Sequence, residues 1–184
     1  MSLTTTSDSE LLVQFRNPVT KEKAYTNLIR KYQEKLYWHI RRMVVEHEDA
    51  NDVLQNVLIR VWNGLENFRE DSQLYTWLYR IATNECLTYL EQQKKRSSVS
   101  LSDVESGLSN KIKADKHFDA NKLEWKLQVA IQQLPEKQRV VFLLRYYDEM
   151  PYEEMSRVLE TSEGALKASY HHAVKKIEDY MLHH

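Results

Sequence analysis

The sequence predicts an all-α protein in which a flexible linker joins two small helical domains. Apolar residues recur at steps of three and four along most of the chain, which is the spacing of amphipathic helices. Only three Gly and three Pro occur in 184 residues, and no alternating run of β-branched residues indicates a strand. Residues 97–120 break the helical pattern and are rich in Ser, which is typical of a linker.

The first domain, residues 1–96, is predicted to contain four helices. The spacing between residues 10 and 48 indicates two helices, with an interruption at Pro18. A third helix runs from about residue 49 to 67, because its apolar residues form one broad stripe. A polar loop at residues 68–73 separates it from a fourth helix at about residues 74–95. The stripe of the third helix consists of Ala50, Val53, Leu54, Val57, Leu58, Val61, Trp62 and Leu65.

The second domain, residues 121–184, is also predicted to be helical throughout. Pro135 and Pro151 mark the starts of two of its helices. About three residues separate the last two helices, a spacing that is typical of a helix-turn-helix. Ser162 is suited to cap the last helix.

The outer face of the last helix contains no acidic residue between Glu163 and Glu178. Small and basic residues on one face suit close approach to DNA bases and phosphates, although spacing alone equally allows an ordinary helical bundle. The residues predicted on this face are Gly164, Lys167, Ala168, His171 and Lys175.

A row of acidic and amide side chains lies opposite the apolar stripe of the third helix. The row consists of Asp49, Asp52, Gln55 and Asn56. Such a row is either a solvated helix face or a docking surface for another protein, and the spacing leaves both interpretations open.

The fourth helix interleaves aromatic residues with polar and basic ones, a composition that suits unstacked single-stranded DNA. Its spacing also predicts a core position for four residues, Leu74, Leu78, Ile81 and Ala82. Trp77 is compatible both with the core and with a DNA-binding surface. The aromatic, polar and basic residues are Tyr75, Trp77, Tyr79, Arg80, Asn84, Lys94, Lys95 and Arg96.

The formal net charge of −1 limits the ways in which this chain can bind DNA. A protein that binds DNA by itself usually has a strong basic excess, since phosphate neutralisation supplies most of the non-specific affinity. If this chain binds DNA, we expect a partner to supply much of the affinity.

The single Cys excludes an internal disulfide. The helical pattern predicts that Cys86 is a packed thiol, with a redox sensor as the alternative. No apolar run approaches the roughly 20 residues that a membrane span requires, and the N-terminus lacks a secretion signal. We therefore expect a cytoplasmic protein without membrane insertion.

No catalytic residues, cofactor or metal site are predicted. The sequence has no Gly-rich phosphate loop and no nucleophile elbow, and we expect its acidic residues on exposed helical rows without a partnering His. His171 and His172 are adjacent on a helix, where neighbouring side chains diverge by about 100°, so we do not expect them to share a metal ion.

Three segments carry a family resemblance. DANDVLQNVLIRVW (residues 49–62) and TWLYRIATNECL (residues 76–87) resemble region two of the sigma-70 family of bacterial transcription initiation factors, in its extracytoplasmic-function (ECF) branch. The segment LPEKQRVVFLLRYYDEMPYEEMSRVLETSEGALKASYHHAVKKIEDYM, which begins at Leu134, resembles region four. The regions occur in the family's chain order.

The resemblance implies an ECF sigma factor that binds core RNA polymerase and promoter DNA and that an anti-sigma factor holds inactive. It implies that the clamp helices of the polymerase are contacted by Asp49, Asp52, Gln55 and Asn56. It implies that the non-template strand of the minus-ten element is held by Arg69, Ser72, Trp77, Arg80, Asn84, Lys94, Lys95 and Arg96. It implies that the minus-thirty-five element is read by Ser162, Gly164, Lys167, Ala168, His171, His172 and Lys175.

The chain also departs from the family pattern. Several arginines are usual in the last helix, where this chain has Ser169, His172 and Val174. Glu160 replaces a glycine that is often found in the preceding turn. In the fourth helix, Thr88 and Glu91 replace Asp and Arg of many relatives. We therefore expect altered minus-thirty-five recognition from the last helix, and we do not expect the family's usual region-two contacts at Thr88 and Glu91.

Two other functional classes are compatible with parts of this sequence. One is a free-standing helix-turn-helix regulator whose N-terminal domain senses a ligand or dimerises, and the other is a helical adaptor without a DNA role. The acidic row and the near-neutral charge favour a sigma factor over the first. The acid-free last helix disfavours the second.

Overall fold

The computed structural model describes residues 6–96 and 122–184, which form eight α-helices without a strand among them. The predicted linker at residues 97–120 lies outside the described residues. The helices are α1 (Asp8–Arg16), α2 (Lys21–Val44), α3 (His47–Leu65), α4 (Leu74–Arg96), α5 (Lys122–Gln132), α6 (Glu136–Tyr146), α7 (Tyr152–Leu159) and α8 (Glu163–His183). The predicted all-α class is confirmed.

Local sequence signals mark several of the helix ends. At the start of α1 the Ser7 hydroxyl accepts a hydrogen bond from the Glu10 N–H, and the Glu10 carboxylate accepts one from the Ser7 N–H at 3.0 Å. This reciprocal arrangement is a capping box. Pro18 lies in the turn between α1 and α2, as predicted. The Ser162 hydroxyl accepts from the Ala165 N–H and caps α8.

In the N-terminal half, α1, α3 and α4 pack around α2. Five members of the predicted α3 stripe are fully buried, namely Ala50, Val53, Val57, Val61 and Leu65. Trp62 lies edge-on against Phe15 and Tyr25, with ring centroids 5.4 and 4.9 Å away. This packing leaves the opposite face of α3 to solvent.

In the C-terminal half, α6 packs along α8, and α5 and α7 cover the flanks of α8. The core residues of this half are Ile131, Leu134, Leu143, Leu144, Met155, Val158, Leu166 and Ala173. The helices α7 and α8 form the predicted helix-turn-helix. Only one face of α8 packs into this core, so its opposite face is exposed to solvent.

The two halves pack against each other. The first helix of the helix-turn-helix, α7, lies along α4, and α6 contacts α2. Buried side chains from both halves form one continuous apolar cluster. The side of the fourth helix that carries Thr76 and Tyr79 therefore lies against the C-terminal half.

Among residues 6–96 and 122–184, none of the helices is both long enough and apolar enough to cross a membrane.

Cys86 is fully buried, and burial raises the pKa of its thiol. Because the thiolate is the reactive form, native Cys86 is expected to react with Ellman's reagent at pH 7.5 at least roughly 100-fold more slowly than in the denatured chain. Absorbance at 412 nm, with and without guanidinium chloride, measures both rates. Rapid labelling of the native protein would instead favour the redox-sensor interpretation.

Candidate polymerase and nucleic-acid interfaces

The polar row of α3 is accessible on the outside of the molecule. Asp52, Gln55 and Asn56 are exposed and lie at successive turns of the helix. Asp49 differs, because it is half-buried and lies close enough to Tyr89 of α4 to affect its titration. Burial is the main reason that the pKa of Tyr89 is raised to about 12, and the neighbouring Asp49 contributes to the rise. The accessible row thus begins at Asp52.

An apolar residue that the sequence analysis missed extends this row. Ile59 lies one turn beyond Asn56, and 55% of its surface is exposed. It stands outside the apolar stripe, so the spacing of α3 could have identified it. Single exposed apolar residues are common on protein surfaces, so Ile59 extends the accessible row without by itself marking a binding surface.

Arg80 and Asn84, which were predicted to hold the minus-ten strand, are both exposed and lie one turn apart on α4. The Arg80 guanidinium forms an ion pair with Glu160, in the turn between α7 and α8. Lys94 forms an ion pair with Glu136 of α6. Both pairs join the N-terminal half to the C-terminal half.

The other predicted minus-ten residues are more scattered. Arg69 is exposed in the loop before α4, and the hydroxyl of half-buried Ser72 points to the Gln73 carbonyl of the same loop. Lys95 pairs with Glu91 at 2.8 Å, and Arg96 is exposed at the end of α4. The structure brings Arg80 and Asn84 together but places Lys94, Lys95 and Arg96 about three turns beyond Asn84.

The aromatic side chains of α4 are less accessible than their composition suggested. Trp77 packs on Phe68, with ring centroids 5.2 Å apart, and its ring fills the space above Gly64. A Cβ at Gly64 would lie 3.0 Å from that ring, so the small residue permits the contact. Tyr79 is buried under the C-terminal half. Tyr79 therefore presents no free face for a base, and Trp77 is half-buried.

A buried polar cluster joins the two halves beneath these residues. His39 is fully buried, and its Nδ1 lies 3.3 Å from Oδ2 of Asp148. The Tyr79 hydroxyl donates to Oδ1 of Asp148 at 3.0 Å, and His39 Nε2 lies 2.9 Å from the Thr83 hydroxyl. Burial is the main reason that the pKa of Tyr79 is raised, and the charge of Asp148 raises it further. The Tyr79 hydroxyl therefore remains a donor at neutral pH.

The expectation that the acidic residues lie on exposed rows without a His partner is wrong for Asp148. Its partners, His39 and Tyr79, belong to the other half of the chain, and no local periodicity relates residues so far apart. Only the packing of α6 and α7 on the N-terminal half produces this pair.

The outer face of α8 is exposed, as predicted. Its exposed residues are Ser162, Gly164, Lys167, Ala168, His171, His172 and Lys175. The Lys167 ammonium lies 3.8 Å from Glu163 one turn earlier and 5.6 Å from the centre of the Tyr152 ring. Because these are surface contacts, Lys167 can exchange them for a phosphate at little cost. The outer face of this helix is therefore accessible to a DNA groove.

The rings of His171 and His172 are 6.0 Å apart and inclined at 60°. Within the two described ranges, no three His, Cys, Asp or Glu side chains are grouped so that they could hold a metal ion.

The chain matches two family models in succession. Residues 28–96 match sigma-70 region 2, and residues 124–177 match sigma-70 region 4. The chain is 32% identical to the RNA polymerase sigma-H factor of Pseudomonas aeruginosa over 165 residues, which covers 85% of this chain and 86% of that protein. It is 30% identical to the ECF RNA polymerase sigma-E factor of Escherichia coli K12 over 166 residues, or 86% of each chain.

The fold is similar to that of two solved structures. CnrH in complex with the cytosolic domain of CnrY aligns with a TM-score of 0.66 and 20% identity, over 92% of this chain and 93% of CnrH. The sigma factor RpoE from Bartonella quintana, in complex with the anti-sigma factor NepR, aligns with a TM-score of 0.66 and 17% identity. That alignment covers 88% of this chain and 98% of RpoE.

Proposed function

Because the chain belongs to the ECF branch of the sigma-70 family, we propose that it binds core RNA polymerase and directs it to a particular set of promoters. The observation that carries this proposal is that both sigma regions match in one chain and in order, with sigma-factor identity over more than four fifths of its length. A stand-alone regulator is not favoured, since its N-terminal domain would have no reason to match region 2. The protein would act by binding, without catalysis.

We propose that residues 1–96 form the polymerase-docking and minus-ten domain, residues 97–120 the linker, and residues 121–184 the minus-thirty-five domain. Docking is assigned to the row Asp52, Gln55 and Asn56 with the adjacent Ile59. The exposure of all four side chains supports this assignment. Asp49, which is half-buried beside Tyr89, would act less directly.

For DNA, we propose that Arg80 and Asn84 contact the unstacked minus-ten strand, with Arg69, Ser72 and the basic end of α4 beside its backbone. Trp77 would support this surface from below. In α8, Lys167 and Lys175 would hold phosphates, while Gly164, Ala168 and His171 would lie close to the bases. Few arginines are available for bidentate contacts to guanine, so recognition would depend on shape and close approach.

An anti-sigma factor is the proposed regulator of this chain. One solved structure of similar fold is a sigma factor held by the anti-sigma factor NepR. A protein whose partners are RNA polymerase and chromosomal DNA would work in the bacterial cytoplasm.

DNA binding by this protein is expected to depend on polymerase. The net charge of −1 provides little general attraction to DNA, so the free protein should not shift promoter fragments at physiological salt. With core RNA polymerase, the same fragments should form a specific complex and support run-off transcription. Gel-shift titrations with genomic promoter fragments, with and without core enzyme, measure the difference. Tight specific binding by the free protein would favour the stand-alone regulator instead.

A further inference from the structure

Arg16, at the end of α1, contacts the loop between α3 and α4 on both sides of Arg69. Its Nη2 nitrogen donates to the Phe68 carbonyl at 3.2 Å and to the Glu70 carboxylate at 3.1 Å. Arg69 lies between these two residues, and its side chain is exposed. Because a single nitrogen bonds to the residues before and after Arg69, the guanidinium limits how far this part of the loop can move. Arg16 and Phe68 are 52 residues apart, so no local spacing predicts the contact.

We propose that Arg16 is a positioning residue for the minus-ten strand. It holds the loop in the shape that lets Arg69 meet a phosphate of that strand, without touching DNA itself. This inference rests on the proposed function for the role of Arg69, but the hold on the loop can be tested in the free chain, without polymerase or DNA.

The packing of α1 fixes the backbone from which Arg16 reaches the loop. Phe15, the residue before Arg16, is fully buried and lies edge-on to Trp62 of α3, with ring centroids 5.4 Å apart. At the other end of α1, Asp8 pairs with Lys31 of α2 at 2.6 Å. The helix is therefore held at both ends, and Arg16 has a fixed position relative to α3, where the loop begins.

The conformation of the loop requires such support. Glu70 has a φ of 60°, in the left-handed region that residues with a side chain adopt only at a cost. Phe68 is buried with its ring on Trp77, whereas Glu70 is exposed and its side chain pairs with Arg16. A strained conformation persists only where surrounding contacts hold it, so loss of this pair is expected to free the loop at Arg69.

A direct phosphate contact is the alternative role for Arg16, and the two roles differ in how Arg16 combines with Arg69. Two direct contacts would add, because each releases its own counterions. A positioning residue acts through Arg69, so its removal costs nothing further once Arg69 is gone. The Arg16 and Glu70 side chains are 45% and 47% exposed, so their ion pair contributes little to overall stability and can be removed without unfolding.

The first measurement is hydrogen exchange of the loop in the free chain. R16A/E70A removes both partners of the ion pair and leaves the net charge unchanged. Amides of residues 68–73 are expected to exchange at least about threefold faster in this variant, measured by mass spectrometry. The matched control, R30A/E34A, removes an exposed Arg and an exposed Glu of α2 and should exchange like the unaltered chain. Unchanged exchange in R16A/E70A, or equally fast exchange in the control, would overturn the proposal.

A second pair of variants separates hydrogen-bond donation from packing by the aliphatic stem. One nitrogen makes both contacts, so R16K, whose ammonium has three donors, should retain most of the slow exchange. R16M keeps an unbranched stem without a donor and should exchange as fast as R16A/E70A. Both should keep the helical content and melting temperature of the unaltered chain by circular dichroism. Equal exchange in R16K and R16M would overturn the proposal, because the donor would then be irrelevant.

The closing experiment measures the coupling between the ion pair and Arg69. Holoenzyme containing the full chain is titrated into a labelled single strand with the non-template minus-ten sequence of a promoter found in the run-off assay, followed by fluorescence anisotropy. R69A and R16A/E70A are each expected to weaken binding by roughly tenfold. Each should lower the salt slope by roughly 0.7, the value for one phosphate contact on a single strand.

The triple variant R16A/E70A/R69A should bind no more weakly than R69A. A further loss in affinity and salt slope would overturn the proposal, because Arg16 would then contact the strand directly. Full affinity of R69A would overturn the proposed role of Arg69 and this inference with it. Full affinity of R16A/E70A beside a weakened R69A would overturn this inference alone.

Discussion

Replacing Asp52 and Gln55 with Arg is expected to weaken binding to core RNA polymerase by about 100-fold or more. The two side chains are exposed on α3 and lie beside Asn56 and Ile59. A reversed charge at the centre of an interface places like charges together and leaves the partner's groups unpaired, which typically costs several kcal/mol. Anisotropy titrations of labelled protein with core enzyme measure the change.

The matched control for this variant is Q33R/E34R. Gln33 and Glu34 are exposed on α2, away from the proposed docking row, and the substitutions make the same change in charge. Both variants should keep the helical content and melting temperature of the original protein, measured by circular dichroism. Unfolding of D52R/Q55R would show that the row is structural. Normal core binding by a folded D52R/Q55R would remove the docking assignment.

Replacing Arg80 and Asn84 with Ala is expected to abolish most promoter opening while leaving duplex capture largely intact. Both residues lie on the α4 face assigned to unstacked bases, where each lost base contact costs roughly 1–3 kcal/mol. Permanganate reactivity of thymines around the start site should fall by at least about tenfold.

Replacing Lys167 and Lys175 with Ala provides the contrasting case. These residues lie on the outer face of α8, where phosphate contacts position the protein without carrying sequence information. Closed-complex formation should weaken, and the salt dependence of binding should fall by roughly one unit per lost phosphate contact. K23A/K137A, which removes two exposed lysines that lie outside α8, is the control.

A template with a pre-opened bubble separates the two roles. It should restore transcription by R80A/N84A better than by K167A/K175A, because strand opening is then supplied in advance. Equal rescue of both variants would contradict the division of labour between α4 and α8.

Much of the fold could be predicted because helices and their buried faces follow from neighbouring residues. Pro18 separates α1 from α2, Pro135 and Pro151 precede α6 and α7, and Ser162 caps α8, as the sequence predicted. The apolar stripe of α3 likewise identified its buried face. Steps of three and four are local, so they can be read without knowledge of any partner helix.

The candidate surfaces were predicted less completely. Exposed rows follow from the same periodicity, and Asp52, Gln55 and the outer face of α8 are accessible as expected. Composition did not reveal that Trp77 would pack on Phe68 or that Asp49 would turn toward Tyr89. Each of these contacts depends on how two helices are placed, and an aromatic side chain suits a core as well as a stacked base.

The sequence alone therefore determined the all-α class, the helices and which face of each is apolar, because these follow from spacing within one or two turns. The tertiary structure decided which polar groups meet. Tyr79 and Asp148 are 69 residues apart, and their hydrogen bond exists only because α7 lies along α4. A donor on one helix and a carboxylate on another carry no periodic signal, since their pairing depends on three-dimensional complementarity and on the exclusion of water.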